Sequence, residues 1–212
     1  MEILKKTNEE ILAEISENVL YHGTCVSNDT DFSFEQIDVT KGAKKTDFGK
    51  GFYMTTNKEM AVDRAESRKS FYLEQLIAHY GSINDIPEKE FPRAVVKSFK
   101  FDASNLSEIK YLVFSQYNEE WLNFIAHKKQ LFNNQISYSQ FTCRHKDEIY
   151  DVIYGPLVDG KPKLKYLVKR YTKQGGIINK EKLLSEISSS FNFPLQDQIS
   201  IHTEKGKLFL KE

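Results

Sequence analysis

Apolar residues recur every three to four positions in some segments of the chain and follow one another or alternate in others. The first spacing predicts amphipathic helices and the second predicts strands. Thr7 and Glu10 have the spacing of a capping box with apolar residues behind them, so we expect a short helix there. A second such pair, Thr56 and Glu59, predicts a helix that continues to a stop at Gly81.

Two further helices and several strands complete the predicted secondary structure. Asn118 stands where it can cap one helix, and another short helix is expected after Asn179. Residues 27–47 are polar and turn-rich, which indicates a long loop with room for one short helix. Strands are expected at 18–22, ending at Gly23, and at 94–101, 149–154, 164–168 and 198–203, with a tight turn at 48–51 feeding a further strand. These elements mix without βαβ regularity, so we predict an α+β fold with a largely antiparallel sheet.

Composition and charge narrow the functional classes. The 212 residues are 40% hydrophobic and 28% charged, which suits one globular domain spanning 1–212. Thirty basic and thirty acidic residues cancel, which argues against a broad basic surface for nucleic acid. Two cysteines cannot form a disulfide framework, and we find neither a signal peptide nor a membrane span. We therefore expect a cytoplasmic protein with no membrane partner.

Three segments carry candidate chemistry. They are YHGT at 21–24, GKGFYMTT at 49–56 and QISIHTE at 198–204. Each is weak alone, and GKGFY lacks the ending and spacing of a P-loop. Cys143-Arg144-His145 offers too few ligands for zinc, and we expect no metal. The basic run at 161–173 could hold an acidic target, but a solvated edge strand explains it better.

In this order the three segments resemble the ADP-ribosyltransferases of the His-Tyr-Glu type, a group that includes diphtheria toxin and the poly(ADP-ribose) polymerases. YHGT is similar to the family's first-strand motif, and KGFYMTTNKEMA is similar to its second. AVVKSFKFD stands where the family has a Val-rich strand, and DQISIHTEKGK stands where its third motif belongs. FGKGFYMTT with the later YDVIYGP also looks like a group of uncharacterised bacterial proteins thought to share this fold. The resemblance implies a split, largely antiparallel β-sheet core and NAD as the substrate.

The resemblance also implies roles for the first two motifs. His22 would contact ribose hydroxyls, and Gly23 would offer its backbone to the nicotinamide carboxamide. Tyr53 would stack on the cationic nicotinamide ring. Thr24 and Gly51 would complete the NAD-binding surface as members of the same motifs.

Two positions depart from the family pattern. Arg64 stands near where a second aromatic ring is expected, and it could stack or pair with a phosphate. The family's catalytic glutamate aligns with Gln198, and Glu204 is the other candidate. Strand alternation places Gln198 with His202 on a polar face turned toward the cleft. Gln198→Glu is then expected to keep or raise activity, because a carboxylate stabilises a developing cation better than an amide.

The function that the resemblance implies is transfer of ADP-ribose from NAD to a macromolecule, with release of nicotinamide. The acceptor could be protein or nucleic acid, and the role could be that of a bacterial toxin or a defence effector with an antitoxin or immunity protein as partner. Two alternatives stay open. One is an NAD glycohydrolase with water as acceptor, and the other is a catalytically inactive module that binds NAD or ADP-ribose.

Overall fold

The computed structural model describes residues 6–43, 46–129, 140–158, 161–172, 176–191 and 193–212. The helices are α1 (Asn8–Glu17), α2 (Lys58–Tyr80), α3 (Glu119–Lys129), α4 (Lys161–Arg170), α5 (Lys180–Ser190) and α6 (Glu204–Lys207). The strands are β1 (Leu20–Ser27), β2 (Phe52–Met54), β3 (Pro92–Phe101), β4 (Tyr111–Val113), β5 (Val152–Pro156), β6 (Asp197–Ile201) and β7 (Leu210–Lys211). None of the described helices is both long and apolar enough to cross a membrane.

The strands form two sheets, and the fold is α+β as predicted. One sheet has the order β1-β3-β7 and the other has the order β2-β6-β5-β4. The ladders between the described strands are antiparallel except for the parallel pair β4 and β5. Among the described residues, a single antiparallel bridge between Tyr21 and Thr55 connects the edge strands β1 and β2. The two sheets therefore meet at one bridge and separate beyond it.

The sheet that contains β6 is buried on both faces, because each face packs against its own hydrophobic core. Ile153 of β5 belongs to the first core, whereas Ile199 and Ile201 of β6 belong to the second. The first core is built mainly from α3, α4 and α5 and includes Phe48, Trp121, Phe124, Leu164, Leu183 and Ile187. The second core is built mainly from α1 and the strands and includes Leu12, Leu20, Phe52, Met54, Phe99 and Phe101.

The helix boundaries predicted from capping residues are mostly confirmed. The Thr7 side chain accepts a hydrogen bond from the Glu10 amide while the Glu10 carboxylate accepts one from the Thr7 amide, so α1 has its capping box. Gly81 ends α2 with a φ of 86°, a left-handed conformation that favours glycine. Asn118 accepts from the Trp121 amide at 2.8 Å and caps α3.

The second predicted capping box is wrong. Asn57, not Thr56, caps α2, and its side chain accepts a hydrogen bond from the Met60 amide at 3.1 Å. Thr56 instead donates from its amide and its hydroxyl to the buried carboxylate of Asp197, at 3.0 Å in both cases. A contact across 141 residues has thus replaced the local cap.

The strand predicted at 164–168 is also wrong, because this segment lies in α4. Leu164, Leu167 and Val168 are buried, whereas Tyr166 is exposed. These positions are related by three and four residues, so they share one helix face. The basic run that begins at 161 is therefore a helix rather than an edge strand.

Several strand boundaries differ from the prediction. β1 continues beyond Gly23 to Ser27, because its antiparallel pairing with β3 runs along the whole length of β1. β5 begins later than predicted and includes Gly155, which pairs with Gln198 of β6. The short helix α6 and the strands β4 and β7 are elements that the sequence did not predict.

Candidate functional site

The candidate site lies where β1 and β2 separate. At the bridge, Tyr21 and Thr55 exchange main-chain hydrogen bonds of 2.8 and 3.0 Å. One residue further along β1, the Nδ1 atom of His22 lies 2.6 Å from the main-chain oxygen of Tyr53. A carbonyl oxygen can only accept, so Nδ1 carries the proton and Nε2 of the neutral ring is left as an acceptor. The His22 side chain thus takes the place of a main-chain hydrogen bond between β1 and β2 where the two strands separate.

The surroundings of His22 favour its neutral form. Its ring stacks on Phe52 with the ring centroids 4.2 Å apart. The ring of Phe32, from the loop between β1 and β2, lies 5.7 Å away in a nearly parallel plane. Burial lowers the pKa of His22 to about 4, and the positive charges of Arg68 and Arg64 act in the same direction. His22 is therefore uncharged at neutral pH.

Gly23 is the point at which α2 rests directly on β1. A Cβ atom at Gly23 would lie 1.8 Å from the carbonyl oxygen of Ala61 and 3.1 Å from the amide nitrogen of Ala65. No side chain larger than that of glycine fits here without moving the helix. Thr24, the next residue, is half-buried, and Arg64 lies on the exposed part of α2 beside this contact.

Tyr53 is half-buried, and its hydroxyl is held by the turn before β2. The hydroxyl accepts from the Phe48 amide at 3.0 Å and donates to the Gly49 carbonyl at 2.6 Å, and the Thr46 hydroxyl lies 2.8 Å away. The ring packs against the first core, and burial raises the pKa of this phenol. Because His22 stacks on the preceding residue of β2, the rings of His22 and Tyr53 lie on opposite faces of that strand.

The glycines of the GKGFY segment let the turn approach β6 closely. Gly49 has a φ of 92°, and a Cβ atom at Gly51 would lie 2.9 Å from the His202 ring. His202 lies with Nδ1 2.5 Å from the Lys50 carbonyl oxygen and Nε2 2.7 Å from the Ser200 hydroxyl. Burial lowers the pKa of His202 to about 4, so this ring is neutral as well.

Gln198 is at the predicted strand position but is not exposed to a cleft. The alternation of β6 is confirmed, since Ile199 and Ile201 lie in the second core and Gln198 faces the other way. However, Gln198 is only 4% exposed. Its amide donates to the Asp47 carboxylate at 2.9 Å and to the Pro156 carbonyl at 3.3 Å. The sequence predicts that the polar face of β6 is open to a cleft at Gln198, but these two acceptors cover it.

Glu204, the other candidate for the third position, lies beyond β6. It is the first residue of α6 and is exposed. Thr203 caps this helix by accepting from the Gly206 amide at 3.0 Å. Within the described ranges no hydrogen bond or ion pair joins Glu204 to His22 or Gln198.

The sequence did not single out two buried charged groups next to the site. Lys129 at the end of α3 forms an ion pair with Asp47, and their side chains are 4% and 6% exposed. Asp47 lies in a polar loop where no periodicity indicates burial, so only the folded structure brings the pair together. Among the residues that the structure describes, no group of three or more His, Cys, Asp or Glu side chains could hold a metal ion.

Comparisons with known proteins identify a family for the chain. No curated protein and no solved structure is significantly similar to the chain. A family described as a protein of unknown function, DUF3990, matches residues 18–211, which include all of the strands and the whole candidate site. The chain therefore belongs to the DUF3990 family.

Proposed function

We propose that this protein is an ADP-ribosyltransferase that holds NAD where β1 and β2 separate and transfers ADP-ribose to a macromolecule. The observation that carries the proposal is the contact between His22 and the main chain of Tyr53 at that point. Both residues belong to the motifs that resemble this enzyme family, and the contact joins the His22 ring to the main chain of Tyr53 across 31 residues, with the two rings on opposite faces of β2.

A neutral His22 suits a cationic substrate. With Nδ1 bound to a carbonyl, Nε2 can accept a hydrogen bond from a ribose hydroxyl. A protonated imidazole would repel the positive charge of the nicotinamide ring, and the low pKa of His22 avoids this. In the reaction the bond between ribose C1′ and the nicotinamide nitrogen breaks, and its electron pair stays on nicotinamide. The acceptor then bonds to C1′ and loses its proton to solvent.

The basic residues of α2 support an anionic ligand beside His22. Arg64 and Arg68 are exposed, and both act electrostatically on His22. They are four residues apart and so lie on one side of the helix. The diphosphate of NAD would be attracted to this side, and a guanidinium group can donate two hydrogen bonds to a phosphate.

A specific observation favours a second candidate, a module that binds NAD without transferring ADP-ribose. The resembled enzymes have a glutamate where this chain has Gln198, and here that amide is buried against Asp47. Without a carboxylate to stabilise the developing oxocarbenium charge, bond cleavage would be slow. Such a module would bind NAD and leave it intact.

The test is incubation of the purified protein with NAD labelled on the adenosine side, alone and with cell lysate. Nicotinamide release with label bound to lysate macromolecules supports the transferase, and separate protease and nuclease treatments identify the acceptor as protein or nucleic acid. Release without any acceptor indicates an NAD glycohydrolase. Binding of NAD without release supports the inactive module, and no binding rejects the proposal.

The proposed site of action is the cytoplasm, where NAD is available and where the unpaired thiols Cys25 and Cys143 stay reduced. A toxin or defence role with an antitoxin or immunity protein as partner is part of the same proposal. Co-purification from the native host, before and after mutation of His22, tests whether such a partner binds at the site.

A further inference from the structure

A buried carboxylate organises the side of the site opposite His22. Asp47 accepts hydrogen bonds from the Gln198 amide at 2.9 Å and the Val158 main-chain amide at 2.8 Å, and it forms an ion pair with Lys129. Removing two ions from water is costly, and such a pair persists only where further hydrogen bonds satisfy both groups. Asp47 has two such hydrogen bonds, from Val158 and Gln198, in addition to its ion pair with Lys129.

Asp47 also fixes the turn that holds Tyr53. Its neighbours on either side, Thr46 and Phe48, both contact the Tyr53 hydroxyl, at 2.8 and 3.0 Å. The same hydroxyl donates to Gly49 one residue further on. A shift of the Asp47 carboxylate would therefore move three of the groups that surround Tyr53.

We propose that Asp47 is the positioning residue of this site, and that Gln198 acts through Asp47 rather than on the substrate. This inference rests on the proposed function. It explains why an amide stands at 198, because a glutamate would place a second buried carboxylate against Asp47 and the Pro156 carbonyl. The expectation that Gln198→Glu keeps or raises activity is thereby reversed.

The first test is independent of NAD and uses Asp47→Asn, Gln198→Glu and the double variant that exchanges acid and amide. Each single variant breaks the pairing of donors with acceptors, so its Tm should fall by on the order of 10 °C. The double variant again places one carboxylate beside one amide, but it leaves Lys129 without its counter-ion at 47 and the Pro156 carbonyl without its donor, so it should regain only part of that loss. Asp63→Asn and Gln75→Glu, on the exposed surface of α2, are the matched controls and should leave Tm unchanged. Additive losses in the double variant would overturn the proposed contact.

The second test separates positioning from direct contact by the kinetics of nicotinamide release. If Gln198 acts through Asp47 on the Tyr53 turn, Gln198→Ala and Asp47→Asn should both raise KM for NAD, and the double exchange should restore it. If Gln198 touches the reacting ribose, Gln198→Ala should lower kcat with KM unchanged, and the inference is wrong. If the unmodified protein neither binds nor cleaves NAD, the proposed function fails. Asp47 then has no NAD site to position, even if the double variant regains part of its Tm.

Discussion

The ring of His22 donates from Nδ1 to the main-chain oxygen of Tyr53 over 2.6 Å, and this contact spans the gap between the two sheets. The bond fixes the imidazole tautomer and leaves the second nitrogen as an acceptor. It also occupies a carbonyl that would otherwise be unpaired at the edge of the sheet. The candidate site therefore depends on the place where regular strand pairing stops.

Replacing Tyr53 by Phe tests whether its hydroxyl holds the turn. The change leaves the Phe48 amide without its acceptor, while the Gly49 carbonyl keeps the Thr46 hydroxyl as a donor, so the free energy of unfolding should fall by about 1–3 kcal/mol. Tyr72→Phe, at an exposed position of α2, should change it by less than about 0.5 kcal/mol. Urea unfolding measures both, and equal stability of the two variants would exclude a structural role for the Tyr53 hydroxyl.

Gly23→Ala should separate α2 from β1. The new methyl group would lie 1.8 Å from the Ala61 carbonyl oxygen, so the helix must move, at a cost of about 3 kcal/mol or more. Gly81→Ala is the comparison, because its methyl would meet no atom within 4 Å and would strain only the left-handed backbone. That strain costs about 1–2 kcal/mol. If Gly23→Ala costs no more than Gly81→Ala in the free energy of unfolding, the close helix contact is not present in solution.

Stability should fall in mild acid because His22 and His202 are held neutral. Burial is the main cause that lowers both pKa values to about 4, whereas an unfolded histidine titrates near 6.5. Their contribution is complete above pH 6.5, is lost as pH falls from 6.5 toward 4, and changes little below that. Each histidine adds a slope of at most about 1.4 kcal/mol per pH unit, and partial solvent access reduces it.

The check is the free energy of unfolding by urea at several pH values between 4.5 and 7.5, for the protein and for the double variant His22→Asn/His202→Asn. The variant should have a flatter dependence in this window. Identical slopes would mean that neither histidine is kept neutral by the fold.

Arg64→Ala should weaken NAD binding through the diphosphate. An exposed guanidinium contributes modestly, so we expect a loss of about threefold to tenfold in affinity, and the loss should shrink at high salt. Arg144→Ala is a suitable control, since Arg144 pairs with Glu120 and is exposed on another part of the surface. Titration calorimetry at low and high salt measures the affinities, and an unchanged Kd at low salt would remove Arg64 from the site.

Local signals in the sequence predicted much of the fold. The caps at Thr7 and Asn118 and the stop at Gly81 each depend on residues within one turn, and all three are confirmed. The strand predicted at 164–168 failed because a short run of Leu, Tyr and Val satisfies both helical and strand patterns. The spacing of Leu164, Leu167 and Val168 was a readable helical signal.

Parts of the site could not be predicted because they depend on contacts between distant segments. Thr56 was expected to cap α2, but Asp197 binds it from the far end of the chain. The position of Gln198 followed from strand alternation, whereas its burial follows from Asp47, which is 151 residues away. A polar loop residue such as Asp47 gives no sign in the sequence that it will be buried.

The most direct test of the proposed site compares nicotinamide release from NAD by the protein, by His22→Asn and by His79→Asn. His79 lies exposed in the last turn of α2, so its variant controls for the loss of an imidazole. The account predicts release by the protein and by His79→Asn, and a rate lower by about tenfold to a thousandfold for His22→Asn. Equal rates for all three proteins, with His22→Asn folded by circular dichroism, would contradict the assignment of the site.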